Sequence, residues 1–302
     1  MLIAIAASLA AGACFALAGV LQQHEASARP SEEGMRLRLL LALARRRLWL
    51  VGLGFAVLSY GFQMLALAHG PLILVQPLIT TELVFAIPLA ARLRGCRIGV
   101  REWSGGIAVA VGLAVALAAA RPRGGAPMAT TGGWLLTIGI VAALAAGALA
   151  GARTVSGSPK ASLIALAAGL TMGTQSALLD ITVHRIGEGA GALFGAWQTY
   201  LLVVASIGGL LLIQSAYQAG PLAASAPVID AVEPAVAVVI GVALFGESVR
   251  TGWLAGTAAG AGVLLLLAGI VLLDTSPRLA ALHEREKAAR PGSAEHAGPA
   301  PG

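Results

Sequence analysis

The chain has 302 residues, of which 58% are hydrophobic and only 11% are charged, whereas a soluble domain has about 45 to 50% and about 25%. These fractions exclude an ordinary soluble globular domain and indicate a polytopic membrane protein. The formal net charge is +6, but 18 of the 20 basic residues are Arg and lie in short gaps between apolar segments, a pattern typical of membrane orientation signals and not of a nucleic-acid surface.

Nine apolar segments of about 20 residues, the length that crosses a bilayer, predict an all-α fold with nine transmembrane helices. In chain order the predicted helices are Leu2–Leu21, Leu48–Ala68, Leu72–Ala91, Trp103–Ala120, Gly133–Ala152, Ala161–Ile181, Ala192–Ile213, Leu222–Phe245 and Gly252–Leu273. We expect the first helix to be retained, because it lacks the basic n-region of a signal peptide.

Two further segments lie outside these nine predicted helices. Met35–Arg47 is short and rich in Arg, which predicts a basic amphipathic approach to the second helix, with a tenth span as the alternative. Residues 274–302 mix Pro, Gly, Ala and charges without apolar periodicity. We expect them to form a disordered cytoplasmic tail.

The distribution of basic residues predicts the orientation of the helices. Sixteen Lys and Arg lie on the side that the chain reaches after its odd-numbered helices, and four lie on the other side. Because cytoplasmic loops carry the excess of Lys and Arg, the N-terminus is predicted outside and the C-terminus in the cytoplasm. The preference for Arg over Lys, with abundant Ala and Gly, favours a bacterial plasma (inner) membrane.

An internal repeat relates the two halves of the chain at a spacing of 150 residues. The aligned pairs are Gly70-Pro71-Leu72 with Gly220-Pro221-Leu222, Pro77 with Pro227, Trp103 with Trp253, Gly106 with Gly256, and Gly112 with Gly262. The predicted domains are a first repeat over 1–120, a connector with one transmembrane helix over 121–160, and a second repeat over 161–273. Equivalent helices are five spans apart, an odd number, so the second copy is inverted. Inverted repeats are typical of secondary transporters, whose solute sites lie near the bilayer midplane.

Two acidic residues inside apolar helices are the leading candidates for a solute site. Glu233 precedes Pro234 in an otherwise apolar run, and Glu82 aligns with it when one residue is inserted in the second copy. A carboxylate at the bilayer centre costs about 2.5 to 3.5 kcal/mol and usually faces a bundle interior or a water-filled path. Each acid lies roughly 15 Å from its helix start, half of a ~30 Å core. The alternative is that each forms a structural hydrogen bond to a neighbouring helix.

Four other polar residues are weaker candidates for binding the solute. Asp230 lies three residues before Glu233 and shares its helical face, so the two carboxylates could coordinate a cation or share a proton; a solvated Asp230 near the helix start is the alternative. Asp180 is either a solute ligand or an interfacial partner of His184 and Arg185. Gln22 and Gln23 end the first helix, where solvated cap residues are the alternative. Glu247 we interpret as a packing element.

The run Glu233-Pro234, then Gly241 and Gly246-Glu247, followed by a glycine-rich last helix, resembles the second EamA-type repeat of the drug/metabolite transporter (DMT) superfamily. The likeness covers most of residues 1–273. Leu21-Gln22-Gln23 and the four-plus-one-plus-four layout resemble the branch related to NIPA-type magnesium transporters. The first copy departs from the pattern, because Leu83 and not proline follows Glu82. The resemblance implies transport of small solutes without ATP.

These observations predict a secondary transporter that moves a small solute by alternating access around Glu82, Asp230 and Glu233. One cargo model is a divalent cation such as Mg²⁺, held by carboxylates and keeping several waters; the alternative is a proton-coupled exporter of a small organic metabolite or drug. The sequence has no H-E-x-x-H, G-x-S-x-G or Walker-type motif, so we expect neither enzyme activity nor a resident cofactor. The expected partners are the lipid bilayer and the solute or cation, with a homodimer left open and no nucleic acid.

Overall fold

The computed structural model describes residues 1–26, 45–93, 99–125, 129–220 and 222–275. Within these ranges the chain forms eleven α-helices, and its β-structure is one isolated bridge between Arg123 and Ser248. The helices are α1 (Leu2–Ala26), α2 (Arg47–Leu67), α3 (Leu72–Ile79), α4 (Glu82–Leu93), α5 (Val100–Ala120), α6 (Thr131–Ala152), α7 (Ser158–Glu188), α8 (Ala190–Gly195), α9 (Trp197–Ala219), α10 (Leu222–Phe245) and α11 (Trp253–Asp274).

Eight of these helices are long and apolar enough to cross a membrane, with mean hydropathy between 1.4 and 2.3. A spanning segment has to satisfy its own backbone N–H and C=O groups, which a helix does. Large apolar side chains such as Val204, Val239 and Leu264 are exposed on the outside of the bundle, where lipid would cover them. This is the architecture of a multi-pass helical membrane protein.

The prediction of one continuous helix over Leu72–Ala91 is wrong. The chain forms two helices, α3 and α4, that are separated at Thr80 and Thr81. At the break the backbone hydrogen bonds span three residues instead of the four of an α-helix. The Thr81 nitrogen donates to the Leu78 carbonyl (3.2 Å), and the Val84 nitrogen donates to the Thr81 carbonyl (2.9 Å). The Thr81 hydroxyl also donates to the Leu78 carbonyl at 2.6 Å. These bonds satisfy backbone groups that a break in an apolar segment would otherwise leave without partners.

The seventh predicted helix, Ala192–Ile213, is placed too early in the chain. A short α8 ends at Gly195, Ala196 has an extended backbone, and the long helix α9 begins only at Trp197. Side chains of α9 cap the end of α8, since the Thr199 and Tyr200 hydroxyls donate to the Leu193 and Phe194 carbonyls. The preceding helix α7 is longer than predicted and is the most buried of the spans, at 78%.

Two predictions concern residues outside the described ranges. The Arg-rich segment Met35–Arg47 is described only from residue 45 onward, and the tail 274–302 only to residue 275. A tenth span and a disordered tail therefore stay predictions.

Close approaches between helices give their relative directions. α1 is parallel to α3, α7 is parallel to α10, and α5 is antiparallel to α11. The residue pairs that establish these directions are Ala4 with Gly70 and Gly12 with Ile79, Ser162 with Ala224 and Gly173 with Val236, and Gly105 with Gly269 and Gly112 with Gly262.

Helices α5 and α11 cross at two glycines that contact each other. A Cβ on Gly112 would lie 2.6 Å from the Gly262 carbonyl oxygen, and a Cβ on Gly262 would lie 2.7 Å from the Gly112 carbonyl oxygen. The backbone nitrogens four residues further on, those of Leu266 and Ala116, would each be 2.5 Å away. Small residues let membrane helices approach this closely, and here the contact is reciprocal.

Candidate functional site

Glu82 is the first residue of α4, directly after the break at Thr80 and Thr81, and its side chain is half-buried. A Cβ on Gly12 of α1 would lie 3.3 Å from the Glu82 backbone nitrogen and 3.0 Å from the Ile79 carbonyl oxygen. The amino end of a helix carries partial positive charge, which favours a carboxylate there. The break therefore provides a place for an acid inside an apolar segment.

Glu233 lies on the inward face of α10. At 3.6 residues per turn, it shares a face with Asp230 and with four buried residues, Ala226, Ile229, Ala237 and Ile240. The opposite face carries Val239 and Val242, which are 63% and 45% exposed. Both carboxylates thus point into the bundle and away from lipid, and the charge of Asp230 acts on Glu233.

The helix ladder of α10 is interrupted beside this acid. Pro234 has no N–H, so the Asp230 carbonyl, four residues earlier, lacks its usual helical donor. A freed carbonyl next to two carboxylates is an oxygen-rich surface that a cation or a protonated group of a solute could contact.

The two acids occupy matching positions against the first helix of each half. A Cβ on Gly12 would lie 3.3 Å from the Glu82 nitrogen, and a Cβ on Gly169 of α7 would lie 3.4 Å from the Glu233 nitrogen. In both halves a glycine of the first helix allows the backbone next to the acid to pass at close range.

Tyr60 of α2 lies in the same region, although the sequence analysis did not single it out. The charges of Glu233 and Glu82 both act on its hydroxyl, so the three side chains lie within electrostatic range of one another. Its ring packs edge-on against Phe15 of α1, with 5.1 Å between centroids. A signal was present in the sequence, because Tyr60 lies three residues before the buried Gln63 and on the same helical face.

Asp180 lies away from these acids. It is 3% exposed and seven residues beyond Gly173, roughly 10 Å further along α7. Nδ1 of His184 lies 2.9 Å from the Asp180 carbonyl oxygen and 3.7 Å from its Oδ1, so His184 is close to Asp180 but bonds to its backbone. Arg185 instead pairs with Glu188 at 3.0 Å. The charge of Glu247 also acts on Asp180.

Glu247, which we interpret from the sequence as a packing element, is buried and hydrogen-bonded. Its two carboxylate oxygens accept hydrogen bonds from the backbone N–H groups of Leu72 (2.7 Å) and Ile73 (2.8 Å), which are the first residues of α3. The side chain is 5% exposed. Burial raises the pKa of the Glu247 carboxyl, while the bonds from Ile73 and Leu72 act in the opposite direction.

The structure does not bring Gln22 close to the acids. Gln22 is half-buried against Gly52 of α2, whose Cβ would lie 3.0 Å from the Gln22 Cγ. It is ten residues beyond Gly12, or roughly 15 Å along α1. The side chain of Gln23 lies outside the described residues.

Other buried polar groups lie on helices α3 and α7. Gln76 Nε2 and Ser176 Oγ are buried, and neither has a hydrogen-bond partner among the described atoms. Buried polar groups in folded proteins usually have a partner, either protein or water, so a bound water is the partner to expect for each of these two atoms. Among the described residues no group of three or more His, Cys, Asp and Glu is arranged to hold a metal ion.

The chain is similar to an uncharacterized protein of Corynebacterium glutamicum, with 28% identity over 290 residues that cover 94% of this chain and 99% of the relative. No family model matches the chain. No solved structure gives a significant match.

Proposed function

We propose that this protein is a secondary transporter of a small solute, with a site between two inverted repeats at Glu82, Asp230 and Glu233. The observation that carries the proposal is the matched placement of Glu82 and Glu233. Each lies half-buried in an apolar segment. The Glu82 and Glu233 backbone nitrogens lie 3.3 and 3.4 Å from the positions that a Cβ on Gly12 and on Gly169 would take. A passive scaffold would not need costly carboxylates at two matched positions.

The helix directions support the inverted repeat. In the first half α1 is parallel to α3, the helix that leads into Glu82, and in the second half α7 is parallel to α10, which carries Glu233. The last helices of the two halves, α5 and α11, are antiparallel. Gly112 and Gly262, the glycines at their crossing, are 150 residues apart and are aligned by the sequence repeat. An axis of approximate two-fold symmetry through this crossing would relate residues 1–120 to residues 161–273, with α6 as the connector.

Alternating access follows from such an arrangement. Rocking of one repeat against the other opens a midplane site to each side in turn. The charge of each acid acts on Tyr60, so a change in the charge of either carboxylate changes the electrostatic potential at the Tyr60 hydroxyl.

A divalent cation such as Mg²⁺ is the cargo that we favour. Mg²⁺ is usually bound through one or two carboxylates and keeps several of its waters, and Asp230 and Glu233 supply two carboxylates on one helical face. The freed carbonyl of Asp230 adds a neutral oxygen. We assign the protein to the bacterial plasma membrane, because it prefers Arg over Lys and is rich in Ala and Gly. We place its N-terminus outside and its C-terminus in the cytoplasm, because the excess of Lys and Arg falls on the side of the C-terminus.

Flux measurements in proteoliposomes test the proposal. Wild-type protein is reconstituted with a Mg²⁺ indicator inside, and uptake is compared with E82Q, E233Q and D230N. Glu188→Gln is the matched control, because Glu188 is an exposed acid paired with Arg185. We expect the three site variants to lose most of the flux and the control to keep it.

A panel of organic metabolites, with and without a pH gradient, separates the cargo models. Flux of a metabolite that depends on the gradient, with no Mg²⁺ uptake, would favour the proton-coupled exporter. If E82Q and E233Q carry every cargo at the wild-type rate, the central site is wrong.

A further inference from the structure

Helix α3 is a short element held at both of its ends. It has 8 residues; its first backbone N–H groups bond to Glu247, and its last residue leads through Thr80 and Thr81 to Glu82. A helix of this length cannot be stable by itself, so its position depends on its neighbours and on the contacts at its two ends.

The bond from Glu247 to α3 is a well-defined contact between the two halves of the chain. Both carboxylate oxygens are used, and a buried carboxylate with two N–H donors satisfies two of the four free N–H groups at a helix start. Gly241 makes room for it, because a Cβ there would lie 2.5 Å from Glu247 Oε2. The site is therefore shaped for this carboxylate.

The loop that carries Glu247 is itself fixed. Arg123 and Ser248 exchange backbone hydrogen bonds of 2.9 and 3.1 Å, and the Arg250 nitrogen donates to the Ala120 carbonyl at 2.6 Å. The Glu247 nitrogen donates to the Gly241 carbonyl at 3.0 Å. The carboxylate is thus presented from a loop that backbone hydrogen bonds hold to the end of α5.

The first half of the sequence has no acid that corresponds to Glu247. The equivalent position falls at Cys96 or Arg97, and residues 91–101 contain no Asp or Glu. The next acid, Glu102, accepts from the Gly99 nitrogen at the start of its own helix. The sequence therefore provides this carboxylate at one face of the membrane and not at the other.

From these contacts we propose that Glu247 is a positioning residue that latches α3 on its own side of the membrane and so closes the path from that side to Glu82. Release of the two N–H bonds lets α3 tilt about Thr80 and Thr81 and exposes Glu82 to that face, the outer face in the proposed orientation. This inference rests on the proposed function, since it assigns one gate of that transporter.

Side-specific labelling of a cysteine at the break tests the latch. Thr81→Cys is introduced after Cys14 and Cys96 have been replaced by Ser, and a membrane-impermeant maleimide is added from one face at a time. Glu247→Ala should raise the labelling rate from the Glu247 face roughly tenfold, the change expected when a helix loses its cap, and should leave the rate from the opposite face unchanged. A variant that merely loosened the fold would raise both rates.

Two further variants keep the test decisive. Glu247→Gln retains an acceptor oxygen and should label at a rate between those of the wild type and Glu247→Ala. Ser248→Ala is the matched control, because the bonds between Ser248 and Arg123 use backbone atoms, and it should label as the wild type does. If Glu247→Ala does not fold, Gly241→Ala carries the test, since its Cβ displaces the carboxylate while leaving it in the chain.

The latch is overturned if Glu247→Ala and Gly241→Ala both label at the wild-type rate from the Glu247 face. Labelling requires neither cargo nor flux, so it is separate from the transport assay. A one-sided increase in a protein that moves no cargo would support the latch and count against the transporter. An unchanged labelling rate in a protein whose flux depends on Glu82 would support the transporter and count against the latch.

Discussion

Replacing Gly112 or Gly262 with Ala should destabilise the protein, because each glycine leaves space that the backbone of the other helix occupies. The new Cβ would lie 2.5 to 2.7 Å from backbone atoms of the opposite helix, so the helix axes would have to separate by roughly 1 Å. Overpacking of this kind costs about 1 to 3 kcal/mol, and the better helix propensity of Ala returns up to about 1 kcal/mol. We therefore expect a net loss of about 1 to 2 kcal/mol for each variant.

The controls are Gly106→Ala and Gly256→Ala. These glycines lie in the same two helices and are also 150 residues apart, but no atom lies within 4 Å of the position of their Cβ. They should be neutral or slightly stabilising. Heating the detergent-solubilised protein and following tryptophan fluorescence should give a Tm about 2 to 8 °C below wild type for Gly112→Ala and Gly262→Ala, at a few degrees per kcal/mol.

Two results would contradict this expectation. If the Gly112 and Gly262 variants have the same Tm as their controls, the helices do not approach closely at these glycines. If only one of the two is destabilised, the contact is not reciprocal, and the case for a symmetric crossing fails.

Three further expectations concern the acids and the orientation. Gly173→Ala should lower solute flux, because its Cβ would lie 2.6 Å from the Glu233 carbonyl oxygen; flux equal to wild type would count against this close approach of α7 to the acid. Burial raises the pKa of the Glu247 carboxyl above its ordinary value of 4.5. If the carboxyl has the ordinary pKa when the latch is open, protonation stabilises the closed latch fully below pH 4.5. This stabilisation is lost as the pH rises through the raised pKa of the closed state. The labelling rate from the Glu247 face, divided by the rate of the same reporter in Glu247→Gln, should therefore rise as the pH rises above 4.5. The ratio removes the pH dependence of the thiol–maleimide reaction itself, and Asp180→Asn isolates the neighbouring carboxyl. A reporter protein fused after Leu273 should be cytoplasmic, and a signal from the opposite face would contradict the orientation.

The long helices were predictable because length and hydropathy decide which segments can cross a bilayer. The predicted span Leu222–Phe245 agrees residue for residue with α10. The break at Thr80 and Thr81 was not predictable in this way, because an average over about 20 residues does not detect two threonines that bond to their own backbone. The early placement of Ala192–Ile213 has the same origin, since the turn at Ala196 lies inside an apolar run.

The candidate site was predictable only where a residue was conspicuous by itself. Glu82 and Glu233 stood out because an acid in an apolar helix is costly, and the repeat paired them. Tyr60 did not stand out, because an aromatic residue is ordinary in a membrane helix. The bond from Glu247 to Leu72 joins residues 175 positions apart, and no local pattern in the sequence indicates a contact over that separation.

Helix α6 differs from its neighbours in how little of it touches the protein. Only 11% of its span is buried, against 78% for α7. Its buried residues are Trp134, which packs near Trp197 and Phe245, and Ala148 and Ala152 towards its C-terminal end. A helix with so few contacts tolerates substitution, so the remainder of α6 should accept almost any apolar sequence of the same length without loss of stability. In the proposed topology α6 contributes one crossing, so exchanging its exposed part should be harmless, whereas deleting the helix should reverse the insertion of every helix that follows.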